Sequence, residues 1–216
     1  MSGFSEKLRL ESEPCWSEAV AHRYVAELTA GSIADSVMAR YLIQDHRFIG
    51  NFLGLLGAAL STADKFESRL ALGRFIGMIS SAENDYFLRS FKALGVSDEE
   101  RFGQPDGAPT RDLNQIMLEA ARSGSYAASI AVLAAAEGIY LDWGLAAPRP
   151  YPRNFVHAEW ITLHNNDYFK GVVEFLRGEL DRVGPENADL CRGYFLRTVR
   201  IEKEFFDYAY SEGSAS

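Results

Sequence analysis

Cysteine is scarce in this chain. Its 216 residues include two, Cys15 and Cys191, far apart and in no CxxC-type motif. That excludes a disulfide scaffold and a thiolate metal site. Positive charge is also short: 22 Lys and Arg face 30 Asp and Glu, a net charge of −8, with no basic cluster to override it. Such a chain suits neither phosphate backbones nor anionic lipid, so neither nucleic acid nor membrane is expected as a partner. Histidine is limited to His22, His46, His157 and His164, and no Glu-x-x-His pair of the helical di-metal kind occurs. Glu18 and His22 stand four apart and read as a surface contact, and His22 alone does not argue for a haem ligand. No metal is therefore expected. Gly-x-Ser-x-Gly is absent, as are alternating runs of Val, Ile and Thr. Met1–Lys7 has no apolar leader core, so a reducing, cytoplasmic location is expected. The uncharged run Phe48–Ala63 is shorter than the ~20 residues of a spanning helix and is interrupted by Asn51, Ser61 and Thr62. Its glycines, Gly50, Gly54 and Gly57, predict close packing by another helix.

What is present is helical periodicity, nearly end to end. With 47% hydrophobic and 24% charged residues, the chain reads as one globular domain. Pro14 opens a helix through Trp16, Val20, Tyr24 and Leu28, and Gly31 closes it. Asp35 begins a helix to Ala63. Asp64 begins another reaching Leu94, with Gly95 after it. Gln104–Pro109 reads as a loop and Thr110 as the cap of the next helix, which Gly124 breaks. Ser125 starts a very apolar helix to Gly144. Ala147–Asn154, with three prolines, cannot be helix. Helices follow over Phe155–Leu163, from Asn166 or Asp167 to Val183, and from Asn187 to about Tyr210. Ser211–Ser216 reads as a frayed tail. About eight helices in one domain spanning residues 1–216 make an all-α, multi-helix bundle.

The informative residues are acids on apolar stripes. Asp45 has Tyr41, Phe48, Ile49 and Phe52 as helical neighbours. Glu202 shares its face with Phe195, Val199, Phe205 and Phe206. Glu137 is the only charge between Ile130 and Leu141. A carboxylate there must be paired, hydrogen-bonded or protonated. Each alone is satisfied by a structural role. Three in one small helical domain point to a shared polar pocket in the bundle core. Tyr41, Phe48, Tyr140 and Phe205 lie within a turn of these acids, so a flat heteroaromatic ring held between ring faces, with acids reaching its nitrogens, fits the mixture.

Three segments carry a family resemblance. Tyr41-Leu42-Ile43-Gln44-Asp45-His46-Arg47-Phe48, Glu137-Gly138-Ile139-Tyr140-Leu141-Asp142-Trp143-Gly144, and Glu202-Lys203-Glu204-Phe205-Phe206-Asp207-Tyr208-Ala209-Tyr210 resemble, in order and spacing, helices of the TenA / thiaminase II family of thiamin-salvage proteins. The resemblance implies a haem-oxygenase-like helical fold without haem, no cofactor, a homo-oligomer (tetramer or dimer), and hydrolysis of aminopyrimidines. It implies that Asp45 binds the amino group and ring nitrogen of the pyrimidine and that Glu202 is the central acid/base. Tyr140 and Phe48 help hold the substrate.

The chain departs from the best-known branch of that family. The cysteine nucleophile expected four residues before Tyr140 is Ala136, and two substrate-facing tyrosines correspond to His164 and Leu113. The pattern resembles the branch without the cysteine, linked to aminomethyl- or formylaminomethyl-pyrimidine, with Glu137 as the candidate extra acid. Water is then the nucleophile, and Glu137 or His164 orients or deprotonates it. The alternatives are a non-catalytic pyrimidine-binding or regulatory protein, and a haem-oxygenase-like oxidase, either of the cofactorless pyrroloquinoline-quinone-synthase type or metal-dependent.

Overall fold

The computed structural model describes residues 3–103 and 105–211, and no strand occurs among them. Three short helices open the chain: α1 (Phe4–Glu11), α2 (Cys15–Val20) and α3 (Arg23–Ala30). The long α4 (Asp35–Thr62) follows. Next comes a nearly unbroken helical run in three parts: α5 (Phe66–Met78), a π turn (Ile79–Glu83) and α6 (Asn84–Ala93). The short α7 (Asp98–Gly103) leads to α8 (Ala108–Arg122), α9 (Tyr126–Ala146) and α10 (Phe155–Leu163). The chain closes with α11 (Asp167–Val183), a 3₁₀ turn (Pro185–Asn187) and α12 (Ala188–Tyr208).

The bundle is organised around α9. Its residues are buried on all sides, which is why it carries no amphipathic stripe. It is long and apolar enough by composition to cross a membrane, yet 83% of that apolar stretch is buried inside the protein. α12, α11, α4, α8 and α2 pack against it. Ring stacking ties these layers together. Trp16 lies parallel to Phe195 at 5.9 Å, Tyr24 stacks on Tyr41 at 4.2 Å, and Tyr86 stacks on Trp160 at 5.1 Å.

Local chemistry sets most boundaries. Ser125, Asn154 and Asn166 accept from the Ala128, Val156 and Phe169 amides, capping α9, α10 and α11. Gly95 and Gly124 adopt φ of 69° and 66°, left-handed values that glycine takes without steric cost, and end α6 and α8.

Several expectations need correction. The single helix expected from Pro14 to Leu28 is broken at Ala21-His22. His22 Nδ1 accepts the Tyr24 amide at 3.0 Å and so caps α3, and its Nε2 meets Asp207 at 3.0 Å rather than Glu18. Thr110 is not a cap: α8 begins two residues earlier, with Pro109 in its first turn, and the Thr110 hydroxyl donates to Gln44 at 2.7 Å. The loop expected over Gln104–Pro109 therefore ends at Gly107, and Gln104 lies outside the described residues. A Cβ on Gly50, Gly54 or Gly57 would meet no atom within 4 Å, so no helix among the described residues packs closely on them. Helices α1 and α7 go beyond the sequence expectation. Of the tail, residues 212–216 lie outside the described residues.

Candidate active site

One cavity in the bundle gathers the acids. Helix α4 presents Asp45 and Phe48, α9 presents Ala136, Glu137 and Tyr140, and α12 presents Glu202. Trp160 and His164 close another wall, from α10 and its C-terminal corner. A fourth carboxyl joins them: Glu83, the last residue of the π turn. π turns inside α-helices are frequent at functional sites. Asp45, Glu83 and Glu202 are buried, and Glu137 is more exposed while lining the same space.

The space is tight. The cavity volume is about 40 Å³. A heteroaromatic ring enters only if lining side chains move outward, a common rotamer-scale response to ligands.

Electrostatics in the cavity are one-sided. Among the described lining residues there is no Lys or Arg. Burial pushes the Glu202 and Glu83 carboxyls up to about 8. Burial first, then the charges of Glu83 and Glu202, hold Asp45 well above the usual carboxylate range, against a lowering hydrogen bond from Tyr41. Glu137 is raised by burial and by the charges of Glu83, Glu202 and Asp45. Like charges sharing a buried space cannot all ionise, so the quartet keeps protons at neutral pH. Asp45 Oδ2 and Glu202 Oε2 are buried and have no hydrogen-bond partner among the described residues. Orphaned buried oxygens of this kind cost stability and mark places where a ligand or solvent completes the bonding.

The remaining walls are neutral. His164 Nδ1 donates to the Trp160 carbonyl at 2.8 Å, which fixes the ring tautomer and leaves Nε2 an acceptor. Burial pulls this imidazole down to about 4, so it is uncharged at pH 7. Its ring stands 4.8 Å from Tyr140 and 4.4 Å from Trp160. Gly144 lets this corner press against α9. A Cβ there would stand 2.5 Å from the His164 carbonyl oxygen, and the Asn165 side chain donates to the Gly144 carbonyl at 2.8 Å.

Of the residues singled out from sequence, Asp45, Phe48, Glu137, Tyr140, His164 and Glu202 line the cavity together. Tyr41 and Phe205 stand one layer back. The Tyr41 hydroxyl meets the Tyr140 hydroxyl at 2.6 Å, and Phe205 packs edge-on against Phe48 at 5.6 Å and Tyr41 at 5.3 Å. They position the lining rings instead of facing the space. Leu113 is fully buried, and Met117, one turn further on, reaches the cavity in its place. Ala136 lines the cavity, so a thiol at that position would face it. Sequence reading missed Glu83, although Ile79, Tyr86 and Phe87 flank it as aromatic and apolar residues flank Asp45. Among the described residues no three His, Cys, Asp or Glu side chains are gathered tightly enough to hold a metal ion.

An all-α, multi-helix bundle of this kind is the fold that haem-oxygenase-like proteins share. A domain of that fold from Shewanella denitrificans OS217 superposes with a TM-score of 0.70 at 13% identity, covering 95% of this chain and 91% of its own. The TenA homologue of P. horikoshii OT3 superposes with a TM-score of 0.86 at 20% identity, covering 97% and 99%. The sequence matches the TENA/THI-4/PQQC family over residues 10–212, and the chain belongs to that family. The aminopyrimidine aminohydrolase of Halalkalibacterium halodurans is 26% identical to it over 221 residues, 97% of this chain and 96% of that protein.

Proposed function

We propose that the chain is a hydrolase of thiamin salvage that cleaves the side-arm C–N bond of a 4-amino-2-methylpyrimidine bearing an aminomethyl or formylaminomethyl group. The observation that carries this reading is the convergence of Asp45, Glu137 and Glu202 on one ring-walled cavity, in a chain related along nearly its whole length to an aminopyrimidine aminohydrolase.

Each group has a role that follows from its chemistry. The Asp45 carboxyl, in contact with Tyr41, grips the amidine edge of the pyrimidine by paired hydrogen bonds. Phe48, Tyr140 and Trp160 hold the ring by its faces and edges. Glu202, raised to about 8, carries a proton at neutral pH and can give it to a ring nitrogen or to the leaving amine. With Ala136 at the thiol position, water is the nucleophile. Neutral His164 and the carboxyl of Glu137 are the groups placed to orient it. Positioned acid–base groups each contribute about 10²–10⁴-fold, so turnover without a thiol is expected to be slow.

The test is mass-spectrometric product analysis with purified protein and three compounds: thiamin, the aminomethyl-pyrimidine and its formyl derivative. Conversion of either of the last two, abolished in Glu202→Gln with the fold intact, supports the reading. Wild-type turnover in Glu202→Gln, or no conversion of any compound, overturns it.

A further inference from the structure

The cavity carries a charge imbalance that bears on which form of the ligand it takes. Four carboxyl groups face it from four separate segments: Asp45 on α4, Glu83 on the π turn, Glu137 on α9 and Glu202 on α12. The other titratable groups on the wall are Tyr140 and neutral His164, with Tyr41 behind Tyr140. No described lining residue supplies a positive charge. Two of the carboxyl oxygens, on Asp45 and Glu202, are buried without a partner among the described residues.

We propose that the cavity takes its pyrimidine as a cation, with an ammonium group on the side arm, in preference to neutral acylated or hydroxylated forms of the same ring, and that the cation displaces a proton from the acid quartet as it binds. This deepens the hydrolase reading and rests on it.

The physical reason is compensation. A buried carboxyl loses its proton readily only when a positive charge stands nearby, and nothing in the described wall provides one. An ammonium brings that charge and three donors, matching a wall rich in acceptor oxygens. A formylamino group keeps one N–H donor, adds a carbonyl acceptor and carries no charge, and a hydroxymethyl group brings one donor and no charge. The preference also suits turnover. The ammonium substrate and water become the neutral alcohol and an ammonium ion: the C–N bond breaks with its electrons leaving on nitrogen, the C–O bond to water forms, and the proton shed by water ends on the departing ammonia. Charge and atoms balance. The neutral alcohol no longer compensates the carboxylates, the quartet takes its proton back, and the product's hold weakens.

Titration calorimetry on the full chain tests this, using Glu202→Gln so that the ligand survives, in two buffers of different ionisation enthalpy at pH 7. The aminomethyl-pyrimidine is expected to bind at least about tenfold more tightly than the hydroxymethyl and formylaminomethyl compounds, as fits charged against neutral hydrogen bonding. Its binding is expected to release up to one proton, and theirs none. Adding Glu83→Gln, with folding checked by circular dichroism, is expected to shrink both the preference and the proton count. Equal binding of all three compounds, or no proton exchange with the amine, overturns the inference and leaves the hydrolase reading standing. Binding of none of them, with no turnover in the wild type, overturns both.

Discussion

Replacing Glu202 with Gln should stabilise the protein while abolishing its activity, and the size of the gain follows from linkage. Glu202 is 2% exposed, and burial pushes its carboxyl up to about 8 from its ordinary value of 4.5. Between those two values the folded state keeps a proton that the unfolded chain has lost. The sign is therefore fixed: wild-type stability falls as pH rises across this window. One such proton gives a slope of about −1.4 kcal/mol per pH unit. The window of about 3.5 pH units sets a ceiling near 5 kcal/mol, and coupling to Glu83 and Asp45 spreads the loss over the group. Gln keeps the shape and cannot ionise. Between pH 5 and pH 7.5 it should gain about 2–3 kcal/mol on the wild type and flatten the slope by about 1 kcal/mol per pH unit. Urea unfolding of both proteins at half-unit pH steps reads this directly from the midpoints. Parallel pH profiles for the two proteins would refute the assignment of a buried, protonated Glu202. The trade of stability for function is the ordinary signature of a strained active site.

Other expectations concern the supporting layer. Tyr140→Phe removes the partner of the buried Tyr41 hydroxyl, 2.6 Å away, and should cost about 1–3 kcal/mol in chemical denaturation and loosen ring binding. An unchanged midpoint would show that the hydroxyl pair contributes nothing. Gly144→Ala drives a methyl into the His164 carbonyl and should cost about 1–3 kcal/mol, with the His164 ring resonances moving in NMR spectra. Ala136→Cys places a thiol in the cavity among acids that keep it protonated. Iodoacetamide should label it more slowly than a free thiol, and an aminopyrimidine ligand should slow it further.

Much of this is legible in the sequence, because buried acids disturb a helical pattern. Asp45, Glu137 and Glu202 each interrupt an apolar stripe. Glu83 breaks the same rule, with Ile79, Tyr86 and Phe87 around it, but it sits in Ser80-Ser81-Ala82-Glu83-Asn84-Asp85, which reads as an exposed polar stretch. Periodicity does not announce a π turn. Tyr41 and Phe205 look like ligand contacts because helical spacing places them near the acids, yet spacing does not separate a cavity wall from the layer behind it. The break at Ala21-His22 is hidden because Val20, Tyr24 and Leu28 keep helical spacing across it, and a histidine cap at the start of α3 resembles any helical residue. The glycines of α4 suggest a packing face, whereas Gly50 and Gly54 point to the outside of the chain.

The most direct measurement is hydrolysis itself. The wild-type chain, incubated with the aminomethyl-pyrimidine in ¹⁸O-labelled water, should yield the hydroxymethyl compound carrying the label and one equivalent of ammonia, with neither formed by Asp45→Asn or Glu202→Gln. Recovery of unchanged amine from the wild type, or equal yields from those variants, would contradict the assignment of these acids to a hydrolytic site.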